Sequence, residues 1–125
     1  MTTKSFSLAV LFLLTATLSF SQKNAAQSEK DFYTIRTISI PEEVKLEVGG
    51  VAIMPDGRIA ASTRRGEIWI IQNAYGTSAP HFTKFASGLH EVLGLAYRDG
   101  AFYCTQRGEL TKIEDKDGDG RADSY

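Results

Sequence analysis

The sequence has a single cysteine, a single tryptophan and no excess of charge of either sign. Because Cys104 has no second cysteine to join, no disulfide forms within the chain, and no Cys-x-x-Cys-His segment is present to attach a c-type haem. The alternating run around Cys104 predicts a buried, inert thiol rather than a nucleophile. The formal net charge of −1 gives no electrostatic reason to expect a nucleic acid or an anionic lipid as partner.

Long apolar runs are also absent, except at the N-terminus, and we interpret residues 1–21 as a secretory signal peptide. Lys4 precedes an apolar core at residues 8–20, and Ser19 and Ser21 are the small residues that a signal peptidase requires. About 13 apolar residues span too little of a ~30 Å hydrocarbon layer to form a transmembrane anchor. We therefore expect a secreted or periplasmic protein with a flexible leader at residues 22–30 and no membrane span after cleavage.

Helical periodicity is missing from the mature chain, which instead contains an internal repeat. Residues 46–71 and 90–113 match after two one-residue gaps, at an offset of about 42 to 44 residues that is typical of a propeller blade or solenoid unit. The matching positions are Glu47 with Glu91, Val48 with Val92, Gly50 with Gly94, Ala52 with Ala96, Asp56-Gly57 with Asp99-Gly100, Arg65-Gly66-Glu67 with Arg107-Gly108-Glu109, and Ile71 with Ile113.

Each copy of the repeat predicts three strands joined by two tight turns, because Asp-Gly and Arg-Gly pairs separate short apolar runs. The predicted strands are residues 50–54, 58–63 and 67–72 in the first copy, an outer strand at 81–85, and 93–97, 101–106 and 109–113 in the second. Residues 50–54 are apolar throughout, which predicts burial on both faces. The alternation in residues 31–40 predicts a further, half-buried strand.

We predict an all-β fold, specifically a β-propeller, within residues 31–125. The first blade covers about residues 46–88 and an incomplete second blade about residues 90–125. The alternative is an antiparallel sandwich of hairpins. Propellers typically close with 4–8 blades, so two blades either begin a longer protein or assemble with other copies of the chain.

The acidic segment at residues 115–123 has the residue spacing of a calcium loop. Its candidate metal ligands are the carboxylates of Asp115, Asp117, Asp119 and Asp123 and the carbonyl oxygen of Arg121. The bidentate Glu of such loops would fall one position beyond Tyr125. A solvated acidic turn is the alternative.

Alternating strand directions place two sets of loops at the same end of the sheets, which we call the charged end. It comprises the loops before the first strand of each copy and those between the second and third strands. The candidates for a substrate or cofactor mouth there are Glu47, Arg64, Arg65, His90, Glu91, Gln106 and Arg107. The alternative is that the repeated Glu and Arg residues form salt bridges between blades or cap turns. The repeat does not include His90, because Leu46 takes its place in the first copy.

The chain resembles secreted bacterial propellers of the membrane-bound dehydrogenase-like type, which are similar to the soluble glucose and sorbosone dehydrogenases. The resemblance rests on the runs EVGGVAIMPDGRIAASTRRGEIW and GLHEVLGLAYRDGAFYCTQRGELTKIEDKDGDGRAD. It implies the first two blades of a six-bladed propeller that uses pyrroloquinoline quinone and calcium to oxidise a sugar or alcohol. It also implies a possible cytochrome c domain, downstream or as a separate partner.

Two residue positions bear on the activity that this resemblance implies. Arg64, in the run Thr-Arg-Arg-Gly, corresponds to an Arg that lines the cofactor mouth in that family. The family's catalytic His follows its strand in a His-Pro-Asp context, whereas Gly94-Leu95-Ala96 is followed here by Tyr97-Arg98-Asp99. Two functions therefore stay open: a quinone-dependent dehydrogenase acting on a carbohydrate-like substrate, and a non-catalytic carbohydrate-binding or scaffold propeller.

Overall fold

A computed structural model describes residues 28–125, so the predicted signal peptide and most of the predicted leader lie outside the described residues. The chain divides into two units between Ile35 and Arg36. The first contains one 3-10 turn, Glu29–Asp31, where the Ser28 amide donates to the Asp31 carboxylate at 2.9 Å. Within the described part of the chain, no helix has the length and apolar character needed to cross a membrane.

Seven strands make up the regular structure of the second unit, and they form two antiparallel sheets. The predicted all-β class is confirmed, since residues 28–125 contain no α-helix. Sheet A has the order β1-β2-β3-β4 and sheet B the order β5-β6-β7. The strands are β1 (Val48–Ile53), β2 (Ile59–Thr63), β3 (Ile68–Gln72), β4 (His81–Ala86), β5 (Gly94–Arg98), β6 (Ala101–Thr105) and β7 (Leu110–Glu114).

The strand predicted at residues 31–40 is wrong. No strand occurs between the 3-10 turn and Val48, although apolar and polar residues alternate there. A strand needs a hydrogen-bonded neighbour as well as an alternating sequence, and neither described sheet pairs with this segment. Arg36 instead donates from its guanidinium to the carbonyl oxygen of Tyr75 at 2.7 Å.

The two copies of the repeat form strands that pair in the same register. Ala52 lies opposite Ala60 in sheet A, and the equivalent Ala96 lies opposite Tyr103 in sheet B. The same agreement holds for Gly50–Ser62 with Gly94–Thr105, for Ile53–Ile59 with Tyr97–Phe102, and for Ile59–Ile71 with Phe102–Ile113. The predicted pattern of three strands and two turns in each copy is therefore confirmed.

The turns between the first two strands of each sheet account for one gap in the repeat. Asp99 and Gly100 both have positive φ, 51° and 82°, which is the geometry of a two-residue hairpin turn. In sheet A the turn includes Pro55 and is longer, and only Gly57 has positive φ, at 84°. The same strand pairing is thus reached with one residue more in the first copy.

Sheet A and sheet B stack with the same orientation. We call the face that carries Ala52 or Ala96 the leading face of its sheet, and the opposite face the trailing face. The leading face of sheet A packs against the trailing face of sheet B, where the ring centroids of Phe85 and Phe102 lie 4.9 Å apart. The shared core comprises Ala52, Met54, Ala60, Ile68, Ile70, Phe85, Ala86, Val92, Phe102, Cys104 and Ile113.

Burial of β1 differs from the prediction that both of its faces are covered. Ala52 is buried against sheet B, but Val51 and Ile53 on the trailing face are 56% and 67% exposed. An apolar run makes burial on both faces favourable, but a face is buried only where another layer lies against it. Sheet B covers the leading face alone.

Glycine allows β1 to approach β5 closely. A Cβ atom on Gly50 would lie 2.7 Å from the amide nitrogen of Leu95 and 2.9 Å from the carbonyl carbon of Gly94. At the equivalent position in sheet B, a Cβ atom on Gly94 would meet only the side chain of Thr105, whose hydroxyl lies 2.7 Å away. The contact between sheets therefore requires glycine at Gly50.

We expect Gly50→Ala to destabilise the protein by roughly 1–3 kcal/mol, because the added methyl group would push the backbones of β1 and β5 apart. The matched change Gly94→Ala should cost less than about 1 kcal/mol, since the Thr105 side chain can rotate and alanine restricts the unfolded chain. Urea unfolding of both variants in dilute solution measures the difference. Equal losses of stability would show that the close approach of the sheets is not the constraint.

Candidate functional site

The loops of sheet A place Glu47, Arg64 and Arg65 together at the charged end. The amide of Arg64 donates to the carbonyl oxygen of Glu47 at 2.9 Å, which joins the loop before β1 to the turn after β2. The guanidinium of Arg65 lies 3.4 Å from the Glu47 carboxylate. Both side chains of this ion pair are about half exposed.

Sheet B repeats the ion pair with the equivalent residues, whereas its backbone hydrogen bond joins a different pair of positions. The guanidinium of Arg107 lies 3.5 Å from the carboxylate of Glu91, and the amide of Arg107 donates to the carbonyl oxygen of His90 at 3.1 Å. Each ion pair is formed within one sheet rather than between the two. The repeated Glu and Arg residues thus keep the same partner in both copies.

The two sets of loops adjoin each other at Gly66 and Leu89. The amide of Leu89 donates to the carbonyl oxygen of Gly66 at 3.0 Å. Gly66 has a φ of 79°, and a Cβ atom there would overlap the carbonyl oxygen of Leu89. The candidate residues of both sheets are therefore brought to one continuous end of the molecule.

Arg64 and His90 are the exposed candidates whose side chains have no ion-pair partner within residues 28–125. The His90 backbone is held by Gln106, whose amide oxygen accepts from the His90 amide at 2.5 Å. Gln106 in turn donates to the hydroxyl of Thr111 at 2.6 Å and to the carboxylate of Glu109 at 3.1 Å. Gln106 thus positions the loop that carries the imidazole.

Sequence reasoning missed the role of Glu67. Its carboxylate accepts from the Trp69 indole at 2.9 Å and from the Lys84 ammonium at 2.5 Å, and that ammonium lies 5.1 Å from the Trp69 ring centroid. Burial alone raises the pKa of Glu67, but the Lys84 and Trp69 hydrogen bonds outweigh it, so the net pKa is lowered. The repeated Arg-Gly-Glu was the available signal, because the equivalent Glu109 also accepts from the residue two positions on, Thr111, at 3.0 Å.

The acidic loop follows β7 and lies at the end of the sheets opposite to the charged end. Carboxylate oxygens of Asp115, Asp117 and Asp123 lie within 4.8 Å of one another, close enough to share a metal ion. Asp119 is outside this group, and its carboxylate accepts from the Arg121 amide at 2.8 Å. The structure thus brings together three of the four predicted carboxylate ligands.

Backbone amides of the acidic loop hold Asp115 and Asp123 in place. Asp115 accepts from Gly118 at 2.7 Å and from Gly120 at 2.9 Å, and Asp123 accepts from Lys116 at 2.7 Å. Partial desolvation raises the pKa of Asp115, but the amides of Gly120 and Gly118 outweigh it, so the net pKa is lowered. The Asp115 carboxylate is therefore kept ionised, as a cation ligand must be.

Cys104 is buried in the shared core, as predicted. Its burial, together with the charge of Glu109, raises the pKa of the thiol. A thiol with a raised pKa is a poor nucleophile. Cys104 therefore belongs to the packing of sheet B and not to the candidate site.

Fold and site together define an all-β protein with two repeated antiparallel sheets, an end rich in Arg and Glu, and an acidic loop at the other end. Comparison with protein-family models, curated proteins and solved structures finds no match to this chain.

We expect Glu67→Gln to destabilise the protein by roughly 1.5–3 kcal/mol at neutral pH, the usual range for hydrogen bonds to a charged group. Because the folded pKa is lowered, the stabilisation is present above the unfolded value near 4.5 and is lost as pH falls through the folded pKa. Denaturant unfolding from pH 7 to pH 3 should show the two proteins converging in acid.

The variant Lys84→Met is the control for this pH dependence. With the ammonium removed, substitution of Glu67 should have a smaller effect at neutral pH, because the two side chains are hydrogen-bonded partners. A difference between the wild type and Glu67→Gln that persists unchanged to pH 3 would contradict the assigned role of the carboxylate.

Proposed function

We propose that sheets A and B are neighbouring blades of a β-propeller that is similar to secreted quinone-dependent dehydrogenases and acts on a carbohydrate-like substrate at the charged end. The observation that carries this proposal is the stacking of two repeats in the same orientation, with their equivalent loops at one end. Repeats stacked in this way generate a ring or a solenoid.

Same-orientation stacking supports a propeller over the alternative sandwich. A sandwich assembled by two-fold pairing of equivalent sheets would bring two leading faces, or two trailing faces, together. Here Ala52 is buried in the interface, whereas the equivalent Ala96 is exposed on the far side of sheet B. The leading face of one sheet thus packs against the trailing face of the next, which is how the blades of a propeller follow one another around a channel.

Arg64 is the residue that best fits a carboxylate-bearing cofactor such as pyrroloquinoline quinone. Its guanidinium is exposed and has no ion-pair partner in the described chain, so its donors are available to an anionic ligand. Arg65 and Arg107 are less available, because each already contacts a Glu. A bound quinone would supply the two-electron oxidation, and the role of Arg64 would be to bind and orient one of its carboxylates.

The acidic loop fits a structural calcium ion in the same proposal. Three converging carboxylates supply the hard oxygen ligands that Ca²⁺ prefers. The loop lies away from the charged end, so the ion would stabilise the fold rather than contact the substrate. The signal-peptide pattern supports a secreted or periplasmic location, and a cytochrome c domain, downstream or in trans, is the proposed electron partner.

A non-catalytic carbohydrate-binding or scaffold propeller is the second candidate function. The ion pairs Glu47–Arg65 and Glu91–Arg107 favour it, because they use the carboxylates that could otherwise act as general bases. Tyr97-Arg98-Asp99 also occupies the place of the catalytic His-Pro-Asp segment that the resemblance implies. Binding on a glycan array without turnover would support this candidate.

We expect pyrroloquinoline quinone to bind the protein and to support dye reduction with an aldose in the presence of Ca²⁺. The change Arg64→Ala should weaken quinone binding about tenfold or more, which corresponds to the loss of one charge-assisted hydrogen bond. Fluorescence titration measures the binding, and dye reduction across a set of aldoses measures the activity.

The variant Arg58→Ala is the control, because Arg58 is a cation in the turn between β1 and β2, at the opposite end of the sheets. It should bind the quinone as the wild type does. Failure of the wild type to bind the quinone or to oxidise any sugar would reject the dehydrogenase proposal and leave the non-catalytic candidate.

We expect Ca²⁺ to bind the acidic loop and to raise the midpoint of thermal unfolding. Asp117→Asn should abolish the rise, since the amide keeps a carbonyl oxygen for its hydrogen bond from Asp119 but removes the charge. Asp56→Asn, which changes an exposed carboxylate in a turn of sheet A, is the control. A rise of the same size with Mg²⁺ at equal concentration would contradict a calcium-specific site.

A further inference from the structure

Within residues 28–125 the leading face of sheet B is open around Ala96 and Leu110, whereas the leading face of sheet A is covered. Ala96 and Leu110 lie on this open face, and Leu110 is 69% exposed. Their equivalents in sheet A, Ala52 and Ile68, are buried against sheet B. Equivalent residues are therefore buried on the leading face of sheet A and exposed on the leading face of sheet B.

The trailing face of sheet A supplies the matching open surface along β1. Val51 and Ile53 are exposed there. By the repeat, they are equivalent to Leu95 and Tyr97, which pack into the core between the sheets. On the same face Ile71 in β3 is buried, so the open part of the face lies along β1.

From these two surfaces we propose that the leading face of sheet B binds the trailing face of sheet A in a second copy of this chain, head to tail. The internal contact between sheets A and B is the template, because it joins the same two kinds of face. Gly94 and Ala96 are the equivalents of Gly50 and Ala52, the small residues that let β1 lie close to β5 within the chain. The intermolecular contact would thus continue the intramolecular one with equivalent residues.

The charge on the open face is compatible with this contact. Lys112 stands where sheet A has Ile70, but its ammonium lies 2.6 Å from the carboxylate of Glu114 in the same sheet. Arg98 on the same face is likewise 3.2 Å from the carboxylate of Asp99, so neither pair brings a net charge into the interface. A head-to-tail contact joins unlike faces, so it continues until a ring closes.

The test uses two variants that each damage one of the two faces. Leu110→Glu places a charge on the leading face of sheet B, and Ile53→Glu places one on the trailing face of sheet A. Sedimentation velocity of the full-length protein across concentrations should show assemblies for the wild type. Each variant should raise the apparent dissociation constant at least tenfold, and Tyr75→Glu, an exposed aromatic outside both faces, should not.

Mixing the two variants distinguishes a head-to-tail contact from any contact between like faces. An equimolar mixture should form a heterodimer and nothing larger, because one intact pair of faces remains. A monomeric wild type, a mixture that stays monomeric, or one variant that still associates by itself would each overturn the proposal. Leu110→Lys and Ile53→Lys replace either variant if circular dichroism shows that it does not fold.

This experiment is independent of the proposed dehydrogenase activity. It depends on the packing of the sheets, and it reads mass rather than quinone binding or turnover. A protein that assembles but does not bind the quinone rejects the proposed chemistry alone. A protein that binds the quinone as a monomer rejects the assembly alone.

Discussion

The close approach of β1 to β5 is the contact on which the arrangement of the two sheets depends. Backbone meets backbone at Gly50, and a Cβ atom there would lie 2.7 Å from the Leu95 amide nitrogen, so the two strands would have to move apart. The edge-to-face contacts of Phe102 with Phe85 and Tyr97 lie in the same interface. Interiors are packed without room for such a shift, so the glycine and the aromatic cluster depend on each other.

The charged end follows from this stacking rather than from its own ion pairs. Exposed pairs such as Glu47–Arg65 contribute about 0–1 kcal/mol each, which is too little to determine how the sheets assemble. Because both sheets share a register and an orientation, equivalent loops meet at one end, and no contact between the loops themselves is needed to bring them there. The ion pairs neutralise most of that end and leave Arg64 and His90 as its distinctive groups.

Local chemistry explains which parts of the fold the sequence predicts well. Asp-Gly and Arg-Gly turns follow from backbone geometry that involves only a few residues, and the repeat fixed the strand register in both copies. The errors are at residues 31–40 and in the burial of Val51, since both depend on whether another element lies alongside. Alternation and apolar character show which side chains of a segment could be buried. They do not show whether another strand or sheet lies against those side chains.

The candidate sites show the same division between local and distant interactions. The spacing of Asp115, Asp117 and Asp123 was sufficient to predict their convergence, because a short loop wraps around its own carboxylates. Asp119 departs from the prediction, since it lies outside this group and its carboxylate accepts from the amide of Arg121. The partnership of Glu67 with Lys84 was not predictable, since it joins β4 to the turn before β3 across the sheet.

The acidic loop also joins the two sheets at a second place. The amide of Ala122 donates to the carbonyl oxygen of Phe85 in β4 at 2.8 Å, and Asp123 donates from its amide to the carbonyl oxygen of Glu114 in β7 at 2.8 Å. The first strands of the two sheets, β1 and β5, are therefore in contact at Gly50, and the last strands, β4 and β7, are joined through the acidic loop. A cation held by Asp115, Asp117 and Asp123 would restrict the motion of the acidic loop, which carries both hydrogen bonds. Ordering of the loop and stacking of the sheets are thus expected to be coupled, although the ion would lie far from the charged end.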